Sequence, residues 1–111
     1  MEVVSYPRRD EVWLIALDPA KGSEIKKTRP CLVVSPDEMN ESLQTALVAP
    51  MTSTVRNYPT RLNMVFRGKA GQVALDQLRA VDRQRLIRRV GAITARAASE
   101  VSSVLVEMFV R

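Results

Sequence analysis

In a chain of 111 residues without a single histidine, the stretch KGSEIKKTRPCLVVS (Lys21–Ser35) sets Glu24, Lys26, Lys27 and Arg29 directly before Pro30 and a solid apolar run. A guanidinium presents a planar fork of donors that matches phosphate oxygens two at a time. Held at the mouth of a buried strand and stiffened by Pro30, Arg29 can stabilise negative charge that develops in a reaction. As a proton donor it is poor, because a guanidinium holds its proton too tightly to give it up near neutrality. Glu24 is the only carboxylate of that stretch. It can take a proton if its pKa is raised, or orient Arg29 if it stays ionised. Two plainer readings stay open: Arg29 as an ion pair capping a barrel, and the whole cluster as a solvated loop.

These groups must be positioned by short strands. EVWLIAL (Glu11–Leu17) is rich in strand formers and is stopped by Asp18-Pro19; the polar loop Asp18–Thr28 follows. PCLVVS (Pro30–Ser35) predicts a second buried strand with Pro30 at its first residue, where a missing N–H is cheapest. PDEMNESL predicts a short helical turn with Ser35 as N-cap and Pro36 at the first helical position. TALVAPMTS (Thr45–Ser53), PTRLNMVF (Pro59–Phe66) and QVALDQL read as further strands, the last two joined by the glycines of RGKAG. DRQRL reads as a helical turn before RRVGAI, a last short strand. From Thr94, a predicted N-cap, a helix puts Ala98, Val101, Leu105 and Met108 on one face, widened by Val104 and Phe109. Five or six closely spaced strands, small helices and one closing helix predict a mainly β fold: a small, strongly bent sheet or barrel, as a single domain over 1–111.

Composition narrows the partners. Lys and Arg number 17 against 12 Asp and Glu, giving a net charge of +5, which favours a polyanion. One cysteine and no histidine rule out a zinc finger, a Cys-His nucleophile pair and most transition-metal sites, so no metal or cofactor is expected. Cys31 reads as a small buried hydrophobe in a reducing compartment. The opening MEVVSYPRRD lacks a basic head, and VWLIAL is only six residues long, so no signal peptide is expected. No stretch approaches the roughly 20 apolar residues of a membrane span. A cytoplasmic protein with no membrane partner is expected. Aromatics make up 5% of the chain, so base stacking must be limited, with Tyr58 the main candidate. Trp13 reads as core or subunit interface.

Taken together, DEVWLIALDPAKGSEIKKTRPCLVVSPDEMN, LVAPMTS, YPTRL and ALDQLRAVDRQRLIRRVG resemble, in order and spacing, the MazF/PemK family of toxin endoribonucleases. The resemblance implies an SH3-like barrel with added helices, cleavage of single-stranded RNA without a metal, a homodimer, and neutralisation by a cognate antitoxin. It makes Arg29, in the family's R-P step, a catalytic residue and Thr52, in APMTS, a second one, with Ser53 able to share the contact. Thr52 reads equally as a strand-end threonine capping a turn. Asp76 and Gln77 match a motif tied to RNA contacts and, in plasmid-borne members, to catalysis. Those members carry an arginine two residues earlier, where this chain has Ala74, so Asp76 and Gln77 are assigned to binding. Some relatives have a histidine where this chain has Ser23, which weakens acid–base schemes that use that position.

Metal-free RNA cleavage uses the 2′-OH as internal nucleophile and leaves a 2′,3′-cyclic phosphate and a 5′-OH. It needs a group to take the 2′-OH proton, a donor for the leaving oxygen, and positive charge on the phosphorane. Arg29, Thr52 and Glu24 are the residues expected to meet those needs. Lys26, Lys27, Arg56, Arg79, Arg83 and Arg85 would lay a phosphate track, though each alone also reads as a solvated surface charge. The rival reading is a non-catalytic toxin of the same fold that binds nucleic acid or, like CcdB, a topoisomerase; such a binder has no need of the Arg29–Thr52–Glu24 trio.

Overall fold

The computed structural model describes residues 6–111; residues 1–5, part of the opening stretch read above for a signal segment, lie outside the described residues. Along the described chain come β1 (Glu11–Ala16), β2 (Thr28–Val33), α1 (Asp37–Ser42), β3 (Thr45–Thr52), β4 (Arg61–Phe66), β5 (Lys69–Ala74), β6 (Arg79–Asp82), β7 (Leu86–Ala92) and α2 (Ala95–Phe109). Single 3-10 turns occupy Leu75–Gln77 and Arg83–Arg85. The strands form one sheet in the order β4-β5-β3-β2-β1-β7, with β6 joined to β3 off that path; the paired strands run antiparallel. This is the mainly β fold with a closing helix that the strand spacing predicts. No helix of the described residues is long and apolar enough to cross a membrane.

The runs CLVV and ALVA are unbroken because β2 and β3 are buried on both faces, and alternate side chains enter different cores. Cys31, Val33, Ala46 and Val48 join Ile15, Leu17 and Val81 on one side. Leu32 and Ala49 join Val12, Val73, Leu75 and Val101 on the other. Helix α2 covers that second side, with Val104, Leu105 and Met108 packed against the cluster. Its start is capped as predicted: Thr94 Oγ1 accepts the Ala97 N–H at 3.1 Å. Trp13 packs at the edge of the first cluster and donates its ring N–H to Glu11 Oε1.

The sheet curls until its outermost strands meet. Phe66, at the end of β4, lies over Gly91 of β7, where an added Cβ would stand 2.8 Å from the ring. Arg67 reaches the Val90 carbonyl beside it. Side chains thus close a barrel-like shape.

Strand β3 is the hinge of the arrangement. One of its edges pairs with β2 at Val48, Ala49 and Pro50. The other pairs with β6 from Thr45 to Val48, and then with β5 at Met51 and Thr52. Pro50, which has no N–H to offer, falls in the gap between those two partners, where its missing donor costs least.

Some expectations shift. Pro30 is the third residue of β2, not the first, and lies one residue beyond the last β2–β3 pair, Cys31↔Pro50. Ser35 does not cap α1. Its buried hydroxyl donates to Asn40 Oδ1 and accepts the Leu47 N–H, tying α1 to β3, while Pro36 takes the N-cap position. The strand expected over QVALDQL begins earlier, at Lys69, and ends at Ala74. RAVD, read as no element, is strand β6. Phe109, the last residue of α2, is 69% exposed and does not join the second cluster.

If these two clusters carry the stability, Leu32→Ala should cost about 2–5 kcal/mol, whereas Val65→Ala, on a residue 69% exposed, should stay within about 0.5 kcal/mol. Urea denaturation compares them directly; equal midpoints would show that Leu32 is not a core residue.

Candidate functional site

Beyond Cys31↔Pro50 the β2–β3 ladder stops, and continuing its register places Arg29 opposite Thr52. The two side chains form the shared border of two cavities. One, of about 300 Å³, is lined by Pro30, Met51, Met64, Phe66 and Gly71 together with Lys27, Ser53, Lys69 and Gln72. The other, of about 420 Å³, is lined by Glu24, Lys26, Arg56, Tyr58, Arg61, Asp76 and Gln77. Arg29 and Thr52 line both. The first cavity is mainly apolar and the second more polar, with six charged residues in its lining.

Arg29 is part-buried, and its Nε donates to the Lys26 carbonyl at 2.8 Å. Among the described residues no carboxylate pairs with it. Its two Nη groups therefore remain able to fork an incoming anion. Glu24 lines the same cavity but forms no hydrogen bond or ion pair with Arg29. Its Oε1 accepts the Lys21 N–H at 2.6 Å, closing a turn in the β1–β2 loop. The element that orients Arg29 is thus a backbone carbonyl, not the glutamate.

The loop carrying Glu24 is braced from several sides. Asp18 accepts the Lys27 N–H, and Leu17 N–H donates to the Lys27 carbonyl, so the loop is pinched at its neck. Lys27 holds φ of 74° there. Gln77 accepts the Ile25 N–H at 3.2 Å, while Ile25 packs on the first core cluster. Arg79 donates to the Leu17 carbonyl, and Arg85 to those of Ala16 and Asp18. Arg83 spans to the carbonyls of Asn40 and Glu41 at the end of α1. Arg79, Arg83 and Arg85 line neither cavity; they satisfy helix-end and loop carbonyls that need donors. Lys26, Lys27, Arg56 and Ser53 are exposed around the cavities.

Thr52 is 8% exposed, and its Oγ1 accepts the Thr54 N–H, a strand-end turn of the kind the sequence allows. That bond uses a lone pair, and the hydroxyl keeps its hydrogen to donate. The backbone at Thr52 is approached closely by Gly71, where any Cβ would stand 2.5 Å from the Thr52 carbonyl oxygen. Only glycine fits there.

Arg61 is the site residue that pattern reading misses. It sits on β4 opposite Ala74, and its guanidinium grips Asp76 with Nε to Oδ1 at 2.6 Å and Nη2 to Oδ2 at 3.1 Å. The hydrogen bond from Arg61 is the main force holding the Asp76 carboxyl below the usual carboxylate range. Tyr58, 49% exposed, has that guanidinium 5.2 Å from its ring centre. An arginine thus does stand beside the aspartate, delivered across the ladder instead of along the strand. Its neighbours in YPTRL gave no hint, because register cannot be read from one strand. Cys31, at 0% exposure, has its thiol pushed up to about 12 by burial, which leaves it a packing residue.

The sign of the Asp76 shift sets a test. A carboxyl held low contributes stability above its unfolded pKa of about 3.9 and loses it as pH falls through the lower folded value. Asp76→Asn should therefore be less stable than the parent by about 1–2 kcal/mol at pH 7, with the difference vanishing in strong acid. Urea melts across that range check it; a gap that does not narrow on acidification would show that the pair is not the source.

Against known proteins, residues 8–109 match the family described as PemK-like, MazF-like toxin of type II toxin-antitoxin system. The chain is 32% identical over 108 residues to Endoribonuclease MazF9 of Mycobacterium tuberculosis, a match spanning 88% of this chain and 92% of that protein. To Endoribonuclease PemK of Escherichia coli it is 35% identical over 79 residues, 67% of this chain and 59% of the relative. The structure resembles that of MazF from Deinococcus radiodurans with a TM-score of 0.83 at 26% identity, covering 95% of this chain and 97% of the other. With nearly its whole length matched, the chain belongs to the family of PemK-like, MazF-like toxins of type II toxin–antitoxin systems.

Proposed function

We propose that this chain is a metal-independent endoribonuclease that cuts single-stranded RNA by attack of the 2′-OH, giving 2′,3′-cyclic phosphate and 5′-OH ends. The observation that carries the proposal is the meeting of Arg29 and Thr52 on the border of two cavities, with Glu24 lining one of them. A phosphate seated on that border has one cavity on each side, room for the nucleotides flanking a scissile bond. The free Nη fork of Arg29 would take the phosphorane oxygens, and the Thr52 hydroxyl would donate to one of them or align the 2′-OH. Glu24, whose Oε1 accepts the Lys21 N–H, lines the same cavity, and we assign it to accept the 2′-OH proton. No histidine and one cysteine in the chain argue for chemistry without a transition metal. The names of its relatives, Endoribonuclease MazF9 and Endoribonuclease PemK, favour the enzyme over a non-catalytic binder.

Arg29→Ala should lower cleavage by about 10²–10³-fold while leaving circular dichroism unchanged, and Arg29→Lys should restore little. Excess EDTA should not inhibit, and a 2′-deoxy substitution at the cut site should stop cleavage while binding persists. Wild-type rates from Arg29→Ala, or cutting at the deoxy site, would sink the scheme; binding without any cleavage would favour the non-catalytic reading.

The same reading makes the chain a cytoplasmic homodimer held silent by a cognate antitoxin. Val106, Phe109 and Val110 leave apolar surface exposed at the end of α2, a surface suited to a symmetric partner. The exposed Lys26 and Arg56 on the second cavity, with Lys27 on the first, suit an extended acidic antitoxin segment. RNA and antitoxin should compete for the groove, less strongly once those three residues are neutralised. Light scattering that finds a monomer at micromolar concentration would remove the dimer. A stable complex of toxin, uncut RNA and antitoxin with every groove filled would remove the competition.

A further inference from the structure

Gln72 is a buried polar residue, 4% exposed, at the centre of β5. Its ladder partners are Thr52 on one side and Asn63 on the other. A buried amide must place its two donors and its acceptor or lose stability. Here all are placed, and two go to one backbone site on another element. Oε1 accepts the Arg56 N–H at 3.0 Å, and Nε2 donates to the Arg56 carbonyl at 3.1 Å. One donor and one acceptor at Arg56 fix which way round the amide sits, and the second hydrogen of Nε2 goes to Asn63 Oδ1 at 2.9 Å.

The side chain of Gln72 thus imitates a strand partner for the middle of the β3–β4 loop, a loop that otherwise runs exposed from Ser53 to Pro59. The residue paired with Thr52 is therefore the residue that sets where the loop lies. Two residues beyond the clamp stands Tyr58, its exposed ring backed by the Arg61 guanidinium. We propose that Gln72 is a specificity-determining positioning residue, which holds the β3–β4 loop at a fixed offset from Thr52 so that Tyr58 presents a preformed platform for one nucleobase beside the reacting phosphate. The proposal rests on the ribonuclease reading above and deepens it.

The physical consequence follows from populations. A loop that samples several conformations binds with an affinity lowered by the fraction that is competent. Without the clamp, KM should rise by the inverse of that fraction, while kcat, set by Arg29 and Thr52, should move little. A loop free to settle elsewhere should also accept other bases at the platform.

Gln72→Leu removes all three bonds and keeps the bulk. Asn63→Ala, at an exposed position, removes only the third bond and leaves the clamp to Arg56. Cut sites of the full-length protein are mapped on a mixed-sequence RNA, and kcat and KM are measured on an oligonucleotide carrying the preferred site. For Gln72→Leu we expect additional cut sites, KM raised about tenfold or more and kcat within about threefold. Asn63→Ala should shift in the same direction by less. If both variants keep the parent's map and KM, the proposal is overturned. It is equally overturned if kcat falls with the folded fraction while map and KM stay fixed, because that is what a purely structural glutamine would do. Should Gln72→Leu not fold, Gln72→Met, which also breaks the clamp to Arg56, takes its place, and an unchanged map and KM reject the proposal. A parent protein that cuts no RNA would instead remove the reading beneath it.

Discussion

Everything at the site depends on a ladder that stops. Strand β3 pairs with β2 as far as Pro50, and β2 offers Pro30 one step beyond its last paired residue, so the two strands part where Arg29 and Thr52 begin. Had the ladder continued, both residues would have been locked into a sheet with their surroundings filled. Because it ends, the strands can separate around a space while their backbones remain rigid. The far edge of β3 is meanwhile taken up by β5, and Gly71 allows that strand to press against the Thr52 carbonyl. Thr52 is thus fixed from one side and open on the other. Strand ends, unlike loop tips, supply that combination.

The parts of the fold legible in the sequence were those governed by local pattern. CLVV and ALVA announced buried strands, and the 3–4 spacing with Thr94 announced α2. What pattern could not supply was anything set across strands. RAVD is too short and too charged to read as a strand, and it exists because Val81 fills the first core cluster while its backbone completes the edge of β3. Ser35 looked like a helix cap, but a buried amide at Asn40 competes for its hydroxyl. At the site, Arg29, Thr52 and Glu24 were found by residue type and resemblance and do share one cavity wall. Arg61 and Gln72 were invisible for one reason. Each acts across a ladder on a residue far away in sequence, and neither arginine in a strand nor glutamine in a strand is unusual alone.

Charge teaches a related lesson. A net charge of +5 points to a polyanion, and the natural inference is that each basic residue touches it. The structure divides the arginines into two kinds of work. Arg79, Arg83 and Arg85 meet carbonyls at the ends of β1 and α1. Their charge still contributes to the field that draws an anion in, since that field depends on position and not on whether a guanidinium is engaged. Contact and steering are separate functions, and a sequence count merges them.

The absence of histidine gives these constraints their meaning. Arginine and threonine do not change protonation near neutrality, so neither can supply rate by matching its pKa to the solution. On the proposed mechanism, what remains for these two residues is preorganisation: donors already aimed where charge will develop, at no cost of rearrangement when it does. That demands a site whose members hold their offsets. Arg29 is tied through Nε to the Lys26 carbonyl, Thr52 is set by its ladder with Gln72, and the same Gln72 anchors the loop that bears Tyr58. If Arg29 and Thr52 carry the proposed chemistry, this bracing is the physical counterpart of the pKa matching that they lack.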